Sequence, residues 1–545
     1  MRRDLTAMPG RAYDLLIIGG GITGACIARD AALRGLSVAI VDKGDWSHAT
    51  SASSSKLVHG GLRYLKTMEL GLIRESLRER RIWEQIAPHM VAPLPFLIPA
   101  IRASPGDRLV LGAGLTLYDL LSFDRGRLAD PDQRIPRHRR LCRAQAALLE
   151  PMLDLPGLNG AFLYYDCMMY SPERLGLECI IDAVEHGADA ASYTEVTAFI
   201  GGPSGIGGVR VRDLLTGAEL SLNARLTVNA SGPWADSLLG LVRERPHSRQ
   251  LVRSKGIHLI VPALTERHAL TVAHNGGHFF VLPWRGRSIL GTTDTLSDDS
   301  PDNVGVSEAD IDTFLAFVTK GLPSVRLTRA DVLHSYAGLR PLVDDGTTSS
   351  YNASRRAEIV DHGAEGMPGL ISTIGGKWTT SRALAAKTVD LVQAKLRQPR
   401  SDPGTEMKPL PGGATGPIAA FRRDAARAHP ATPGPILTNL TQNYGARYQR
   451  VLARADGATS LSAPMANHFP DIGAQVIYAV RDEMALKLED VIFRRTGLGT
   501  LGHPGPALLS AVADLMAAEL SWTPADTMRE IGAVEARYAS NAGIR

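Results

Sequence analysis

The sequence is poor in cysteine: Cys26, Cys142, Cys167 and Cys179 are the only four among 545 residues. No two are spaced as C-x-x-C and no histidine cluster adjoins them. A disulfide framework and a zinc site are therefore disfavoured, no metal is expected, and a reducing cytosol suits the chain. Net charge is also nearly absent, since 60 Lys+Arg against 56 Asp+Glu leave +4, too little for a dedicated nucleic-acid binder. No apolar run approaches the roughly 20 residues that a membrane-spanning helix needs. Met1-Arg2-Arg3-Asp4-Leu5 has no apolar stretch ahead of a cleavage site, so no signal peptide is expected. Internal repeats and long low-complexity runs are absent as well. The rest of the composition, 44% hydrophobic and 21% charged, is that of a globular protein. At roughly 150 residues per domain the length predicts three to four domains, or two large ones, and a core able to enclose an extended cofactor.

The first 45 residues predict a βαβ unit. Tyr13–Ile18 is a buried strand, Ile22–Arg34 a helix with Gly35 at its C-cap, and Ser37–Asp42 a second buried strand. Leu70–Ile86 is an amphipathic helix by its leucine and isoleucine spacing. Leu109–Leu121 reads first as a core helix and second as a membrane-surface helix. Pro172–His186 is a helix opened by Ser171. A hairpin is expected around Thr216-Gly217, with strands at His258–Val261, Phe279–Leu282, Ser288–Leu290 and Leu370–Ile374. Helices are expected at Ser307–Lys320 and Thr380–Leu396. Arg397–Pro417, rich in Pro and Gly, reads as a linker, and helices at Ala474–Leu488 and Pro506–Leu520 follow.

Gly19-Gly20-Gly21-Ile22-Thr23-Gly24 places G-x-G-x-x-G between a strand and a helix, where backbone N–H groups and the helix dipole receive a pyrophosphate. Asp42, 18 residues after Gly24, ends the next strand, where a carboxylate accepts hydrogen bonds from an adenosine ribose. Two further strand–small residue–helix junctions, Thr227–Trp234 and Thr373–Lys377, point to FAD over NAD, because an extended dinucleotide needs several close backbone approaches. The serine-rich segment Ser51–Tyr64 supplies hydroxyls for a ribityl-phosphate channel.

Ser54-Ser55-Lys56-Leu57-Val58-His59-Gly60-Gly61-Leu62-Arg63-Tyr64-Leu65 resembles the signature of FAD-dependent glycerol-3-phosphate dehydrogenases. So do Asn229–Trp234, Lys255–His258, Gly291–Asp294, Tyr336–Pro341, Gly375–Thr380 and, in the helical tail, Asp490–Thr496. The resemblance implies an α/β fold: a Rossmann-like, glutathione-reductase-type FAD domain, an antiparallel-sheet substrate domain and a C-terminal helical domain. The expected division is FAD binding at 12–90, 150–250 and 330–398, substrate binding at 91–149 and 251–329, a linker at 399–416 and a helical domain at 417–545. The implied reaction takes hydride from C2 of sn-glycerol 3-phosphate to flavin N5, giving dihydroxyacetone phosphate, with electrons passed on to a quinone. Since quinones live in lipid, the implied location is cytoplasmic and peripheral on the inner face of the membrane. The apolar 109–121 segment and the basic Arg134–Arg143 stretch are its candidate contacts.

These readings place FAD contacts at Gly19, Gly21, Ile22, Thr23 and Gly24, then at Asp42 and Lys43. They continue through Thr50, Ser51, Ser54, Ser55, Lys56, Leu57, His59 and Gly60, then Val196, Ala230, Ser231, Gly232 and Trp234. Gly375, Gly376, Lys377, Trp378 and Thr379 complete the set. Arg63, Arg340 and Lys377 are the candidates for gripping a phosphate, Arg340 foremost, because guanidinium matches phosphate bidentately. The proton acceptor is expected among His59, Lys255 and His258, with His59 preferred, and Tyr64 and Thr379 would orient the substrate. Catalytic roles are thus assigned to His59, Arg340, Lys255 and Lys377, and substrate contacts to Arg63, Tyr64, Arg340, Lys377, Thr379 and His258.

Three positions depart from the family pattern: Ser171-Pro172-Glu173-Arg174, Ile257 where a serine is usual, and Ser381 where a tyrosine is usual. Lost hydroxyl and ring near the pocket would reshape it, so another polyol phosphate, such as a tetritol phosphate, is the alternative substrate. Oxygen is the alternative acceptor, and a flavin-binding protein without turnover is the alternative outside enzymology. The helical tail has no catalytic constellation; bracing the FAD domain and forming a homodimer are the roles left open for it.

Overall fold

The structure is a computed structural model that describes residues 1–202, 205–242, 251–343, 357–455, 457–467 and 469–540. The expected domain boundary at residue 250 lies outside them. The first sheet grows from the apolar run that opens the chain. Strand Ala12–Ile18, whose last four residues are all buried, lies between Val38–Val41 and Glu219–Asn229. Asp189–Ala191 and Leu370–Gly375 extend the sheet on either side, and all five strands run parallel. Such strands are covered on both faces, which is why they read as continuous apolar runs. Helices Ile22–Leu33, Pro172–Glu185 and Ser381–Lys395 cover one face through Ala25, Ile27, Ile180, Ala385 and Val389. The other face meets the hairpin Thr194–Gly202/Gly205–Asp213 through Val196, Val209 and Val211.

The second sheet has ten strands, mostly antiparallel. His334–Val343 pairs along Leu251–Pro262, and the sheet continues through Arg287–Gly291, Gly277–Trp284 and Ala269–His274 to Val91–Ile101 and Leu158–Met169. Strand alternation splits its side chains between two cores: Ile257, Leu259 and Val261 face helix Glu308–Gly321, while Ile260 faces the other side. The strands and helices named from the sequence are present within a few residues, with Leu70–Ile86 and Pro506–Leu520 matching end to end.

Two expectations are corrected, at Leu109–Leu121 and in the helical tail, and the linker segment is found packed down. Leu109–Leu121 is not a core helix: Pro105–Leu121, opened by a Ser104/Asp107 capping box, buries Leu115 and Tyr118 but leaves Leu109 75% and Val110 73% exposed. Arg397–Pro417 holds no α-helix or strand, yet it is strapped down rather than slack. Leu410 is buried with its N–H on Ile86 O, and Arg29 donates to the carbonyls of Thr405 and Lys408. In the helical tail, Gly473–Glu483 stops five residues early at Met484 in left-handed conformation, and a π-helical turn, Asp490–Arg495, follows.

Candidate active site

A continuous cavity of about 1330 Å³ lies between the two sheets, and the motif loops form its wall. At one end the glycine-rich turn leaves no room for side chains. Gly19 has φ +109°, and a Cβ there would stand 2.6 Å from Ala230 O; a Cβ on Gly24 would stand 1.9 Å from Gly19 O. The bare backbone of Gly19 and Gly21 thus faces the cavity at the start of helix Ile22–Leu33, with Ile22 and Thr23 beside it. Ile22 N–H donates to Ser51 Oγ at 2.9 Å. Asp42 accepts from Gly20 N–H at 2.5 Å and Gly44 N–H at 2.7 Å, and its carboxylate borders the cavity beside Lys43. Lys43 Nζ and Trp234 Nε1 both bind Asp302 at the cavity mouth. This cradle of glycines, helix N-terminus and strand-end carboxylate fits a dinucleotide.

The middle of the cavity is walled by Thr50, Ser51, Ser54, Ser55 and Leu57 on one side and by Val196, Ala230, Ser231 and Gly232 on the other. Thr50 hydroxyl donates to Leu339 O at 2.7 Å, which ties the serine-rich loop to the second sheet. Ser55 Oγ is 2.8 Å from His258 Nε2, and His258 stacks on Tyr336 with ring centroids 4.9 Å apart.

At the far end His59, Arg63, Tyr64, His278, Arg340, Gly375, Gly376, Lys377, Trp378 and Thr379 converge. Lys377 Nζ is buried with no hydrogen-bond partner among the described residues and sits 4.6 Å from the Tyr64 ring centroid. The Arg63 guanidinium stands 5.0 Å from the same ring. Arg340 is braced from behind, donating to Ser254 Oγ at 3.2 Å, Thr292 Oγ1 at 2.8 Å and Thr293 O at 3.1 Å. A Cβ on Gly256 would lie 2.2 Å from Arg340 Nη2, so a side chain there would push the guanidinium off its present position. Thr379 does not point freely into the cavity: its hydroxyl accepts from His59 N–H at 3.2 Å and so fixes the His59 loop.

Burial, reinforced by Lys377, Arg63 and His278, pushes His59 down to about 3. Burial, then Arg63 and Lys66, lowers His278 to about 4. Burial, then Arg340 and Lys56, holds His258 well below its ordinary value. Lys377 is lowered chiefly by burial. The three imidazoles are therefore neutral near pH 7, and Arg63, Arg340 and Lys377 outnumber Asp294, whose carboxylate stands 4.0 Å from Arg340, a setting that favours anions and developing negative charge.

Four site expectations are corrected. Lys255 points away from the cavity and bridges to Asp310 at 2.8 Å, because on a strand it faces opposite to Gly256 and His258. The Lys56 ammonium turns inward to within 3.7 Å of Glu173 and lies over the Trp284 ring. Gly24 and Gly60 serve packing: a Cβ on Gly60 would meet the Tyr118 hydroxyl at 2.3 Å. The departures from the family pattern also face elsewhere. Ile257 lies in the core under the second sheet, Ser381 donates to Trp378 O, and Arg174 pairs with Glu483, so none of them reshapes the chamber.

Sequence reasoning missed His278 and Asp294, both on the chamber wall, and the buried group behind Gly60. There Asp166 takes Arg80 Nη1 at 2.6 Å and the Tyr118 hydroxyl at 2.8 Å. The alternation His278/Phe280 on one strand was a usable signal. Arg80, on a helix rich in charge, gave none.

Residues 14–382 match the family model of FAD-dependent oxidoreductases, and residues 404–527 match that of the C-terminal domain of alpha-glycerophosphate oxidase. A glycerol-3-phosphate dehydrogenase of Synechocystis sp. is 34% identical over 544 residues, covering 97% of each chain. A D-erythritol 1-phosphate dehydrogenase of Brucella abortus is 35% identical over 492 residues, with 89% of this chain and 94% of that protein covered. A solved structure of a glycerol-3-phosphate dehydrogenase from Bacillus halodurans complexed with FAD superposes with a TM-score of 0.78 at 30% identity, covering 98% of this chain and 96% of that one.

Proposed function

The chain belongs to the family of FAD-dependent oxidoreductases, and from that premise we propose that it oxidises sn-glycerol 3-phosphate to dihydroxyacetone phosphate and passes the electrons to a quinone. FAD is its cofactor. The glycine-rich turn, Asp42 and the serine-rich loop would hold the dinucleotide, and the Gly375-Gly376 turn would meet its flavin end. Bound flavin supplies the hydride acceptor.

The observation that carries the reading is the cationic chamber at that end. Arg340, braced by three acceptors, and Lys377, a buried ammonium without a hydrogen-bond partner among the described residues, provide fixed charge for a phosphomonoester. Arg63 adds a second guanidinium. His59 is neutral at working pH, and it is the proposed acceptor of the carbinol proton once the phosphomonoester's negative charge offsets Lys377 and Arg63 and brings its basicity back up. The same cations that disfavour a second positive charge on His59 favour negative charge on the alcohol oxygen. Thr379 keeps His59 in place.

The acceptor and membrane parts of the proposal rest on helix Pro105–Leu121. Its residues Val110, Leu111, Gly114 and Leu117 border the same cavity, while Leu109 and Leu120 face outward, and His138 of the basic 134–143 stretch binds Asp119 on the same helix. An apolar, basic-rimmed face of this kind suits a lipid surface. Among the described residues no helix is long and apolar enough to cross a membrane.

Relatives acting on three- and four-carbon polyol phosphates are about equally similar, so a tetritol phosphate is the second reading. Anaerobic mixing of the purified holoenzyme with sn-glycerol 3-phosphate, erythritol phosphates and unphosphorylated glycerol decides. Rapid flavin bleaching by sn-glycerol 3-phosphate, and none by glycerol, is expected. Faster bleaching by an erythritol phosphate moves the assignment to the four-carbon substrate, and a flavin that no polyol phosphate bleaches removes it. Stoichiometric peroxide in air without quinone-analogue reduction would replace the quinone by oxygen.

A further inference from the structure

Among the described residues no group of the C-terminal helical domain lines the cavity, yet two of its buried arginines are aimed at the cofactor loop. Asp45 follows Asp42-Lys43-Gly44 directly and is 1% exposed. One of its oxygens receives Arg494 Nε at 2.5 Å and Arg495 Nη1 at 2.7 Å; the other receives Arg495 Nη2 at 2.7 Å. Arg495 is itself fixed by donation to Glu483 O at 3.0 Å, and Arg494 by Asp490 at 2.6 Å. Both arginines lie on the π-helical turn Asp490–Arg495, a rare geometry that occurs frequently at functional sites.

A second limb reaches the same turn. Tyr193 N–H donates to Gly44 O at 3.1 Å and Thr194 N–H to Asp42 O at 2.7 Å, so these two residues hold the backbone of the loop from the far side. The Tyr193 hydroxyl then donates to Asp490 Oδ1 at 2.5 Å. The loop is also keyed to the glycine-rich turn, because the Trp46 indole fills the place where a Gly20 side chain would begin, 2.3 Å from an ideal Cβ. Asp42 and its neighbours are thereby clamped between two contacts that both end on one turn of the C-terminal domain.

We propose that the Asp490–Arg495 turn is a positioning element of the FAD site: through Asp45 and Tyr193 it holds the Asp42–Gly44 backbone in the shape that receives the adenosine half of the cofactor. The helical domain is then a working part of cofactor retention and not only an appended brace. Asp45, Tyr193, Arg494 and Arg495 are positioning residues, since each acts through Asp42.

The test compares substitutions at one interface. Arg495→Lys keeps the charge but loses the two-pronged grip, and Tyr193→Phe removes only the hydroxyl limb. Arg447→Lys loosens the ion pair Arg447–Glu185, on the same domain boundary but off the loop and off the 490–495 turn. Full-length apoprotein is titrated with FAD by flavin fluorescence, and the release rate is followed on dilution of the holoprotein. Loss of about one charge-assisted bond predicts an FAD Kd raised about tenfold in Arg495→Lys. A raised Kd is also expected in Tyr193→Phe, with Arg447→Lys at the parent value. Parent-like FAD affinity in Tyr193→Phe and Arg495→Lys, or equal weakening in Arg447→Lys, overturns the proposal. If Arg495→Lys fails to fold, Tyr193→Phe against Arg447→Lys decides alone.

Discussion

Replacing Lys377 by methionine should make the apoprotein more stable and the enzyme worse. The Nζ atom is buried, has no hydrogen-bond partner among the described residues, and is pushed toward neutrality chiefly by burial. An unsatisfied buried polar group costs about 1–3 kcal/mol and a charged one more, so the upper figure of about 3 kcal/mol applies to this ammonium. Its contact with the Tyr64 ring, 4.6 Å away and shielded from water, offsets about 1–2.5 kcal/mol of that. Methionine has nearly the same length and no charge, so the substitution should gain about 0.5–2 kcal/mol net. With an unfolding entropy of about 2.1 cal/mol/K per residue, a cooperative chain of 545 residues shifts by about 1 °C per kcal/mol. A rise in apoprotein Tm of about 0.5–2 °C is therefore expected. If Lys377 grips the substrate phosphate as proposed, the same change removes a charged partner worth about 1.5–3 kcal/mol, so kcat/KM should fall about 10- to 100-fold. Scanning calorimetry on apoprotein and anaerobic flavin-reduction kinetics on holoprotein read the two effects separately. A Lys377→Met protein that melts lower than the parent, or turns over substrate as well, refutes the view of Lys377 as a charge kept for function against stability.

Gly24→Ala should lose FAD, because its Cβ would stand 1.9 Å from Gly19 O and the glycine-rich turn must move by backbone displacement. A destabilisation of about 1–3 kcal/mol and a low ratio of flavin to protein absorbance are expected, and a fully yellow protein would contradict this. His59, with its pKa held near 3 against 6.5, binds fewer protons folded than unfolded between those values, so its contribution makes stability rise with pH across that window. His59→Gln should flatten the apoprotein's pH–stability curve between about 4 and 6.5 by denaturant unfolding; an unchanged slope would show that His59 titrates normally. Leu109→Glu with Leu120→Glu should reduce flotation with anionic vesicles while leaving turnover with a soluble acceptor at the parent level. A parent protein that never floats, at low salt or high, would remove the membrane contact.

Much of the cofactor cradle was legible because its signals are local. A buried strand, a run of glycines, a helix start and a strand-end carboxylate must follow one another in order for the backbone to approach a pyrophosphate, and residues 13–42 spell that order out. The second sheet was legible as strands but not as faces. Lys255 and His258 both sit in one resembling motif, yet the two-residue period of a strand sends Lys255 to Asp310 and His258 to the cavity. Leu109–Leu121 failed for the opposite reason: apolar content is visible in sequence, whereas the neighbour that would cover it is not, and here Leu109 and Val110 have none among the described residues.

The sequence by itself determined the chemistry available: a dinucleotide turn, a hydroxyl-lined loop and three cations on short motif segments. It determined this because each depends on residues close together in the chain. Only the tertiary structure decided which charges meet. Arg80, Arg174, Arg494 and Arg495 look like surface residues in a linear reading, but each is buried against a carboxylate from a distant segment. A buried ion pair is stable only when both partners arrive together and satisfy one another, and that meeting is a property of the folded chain.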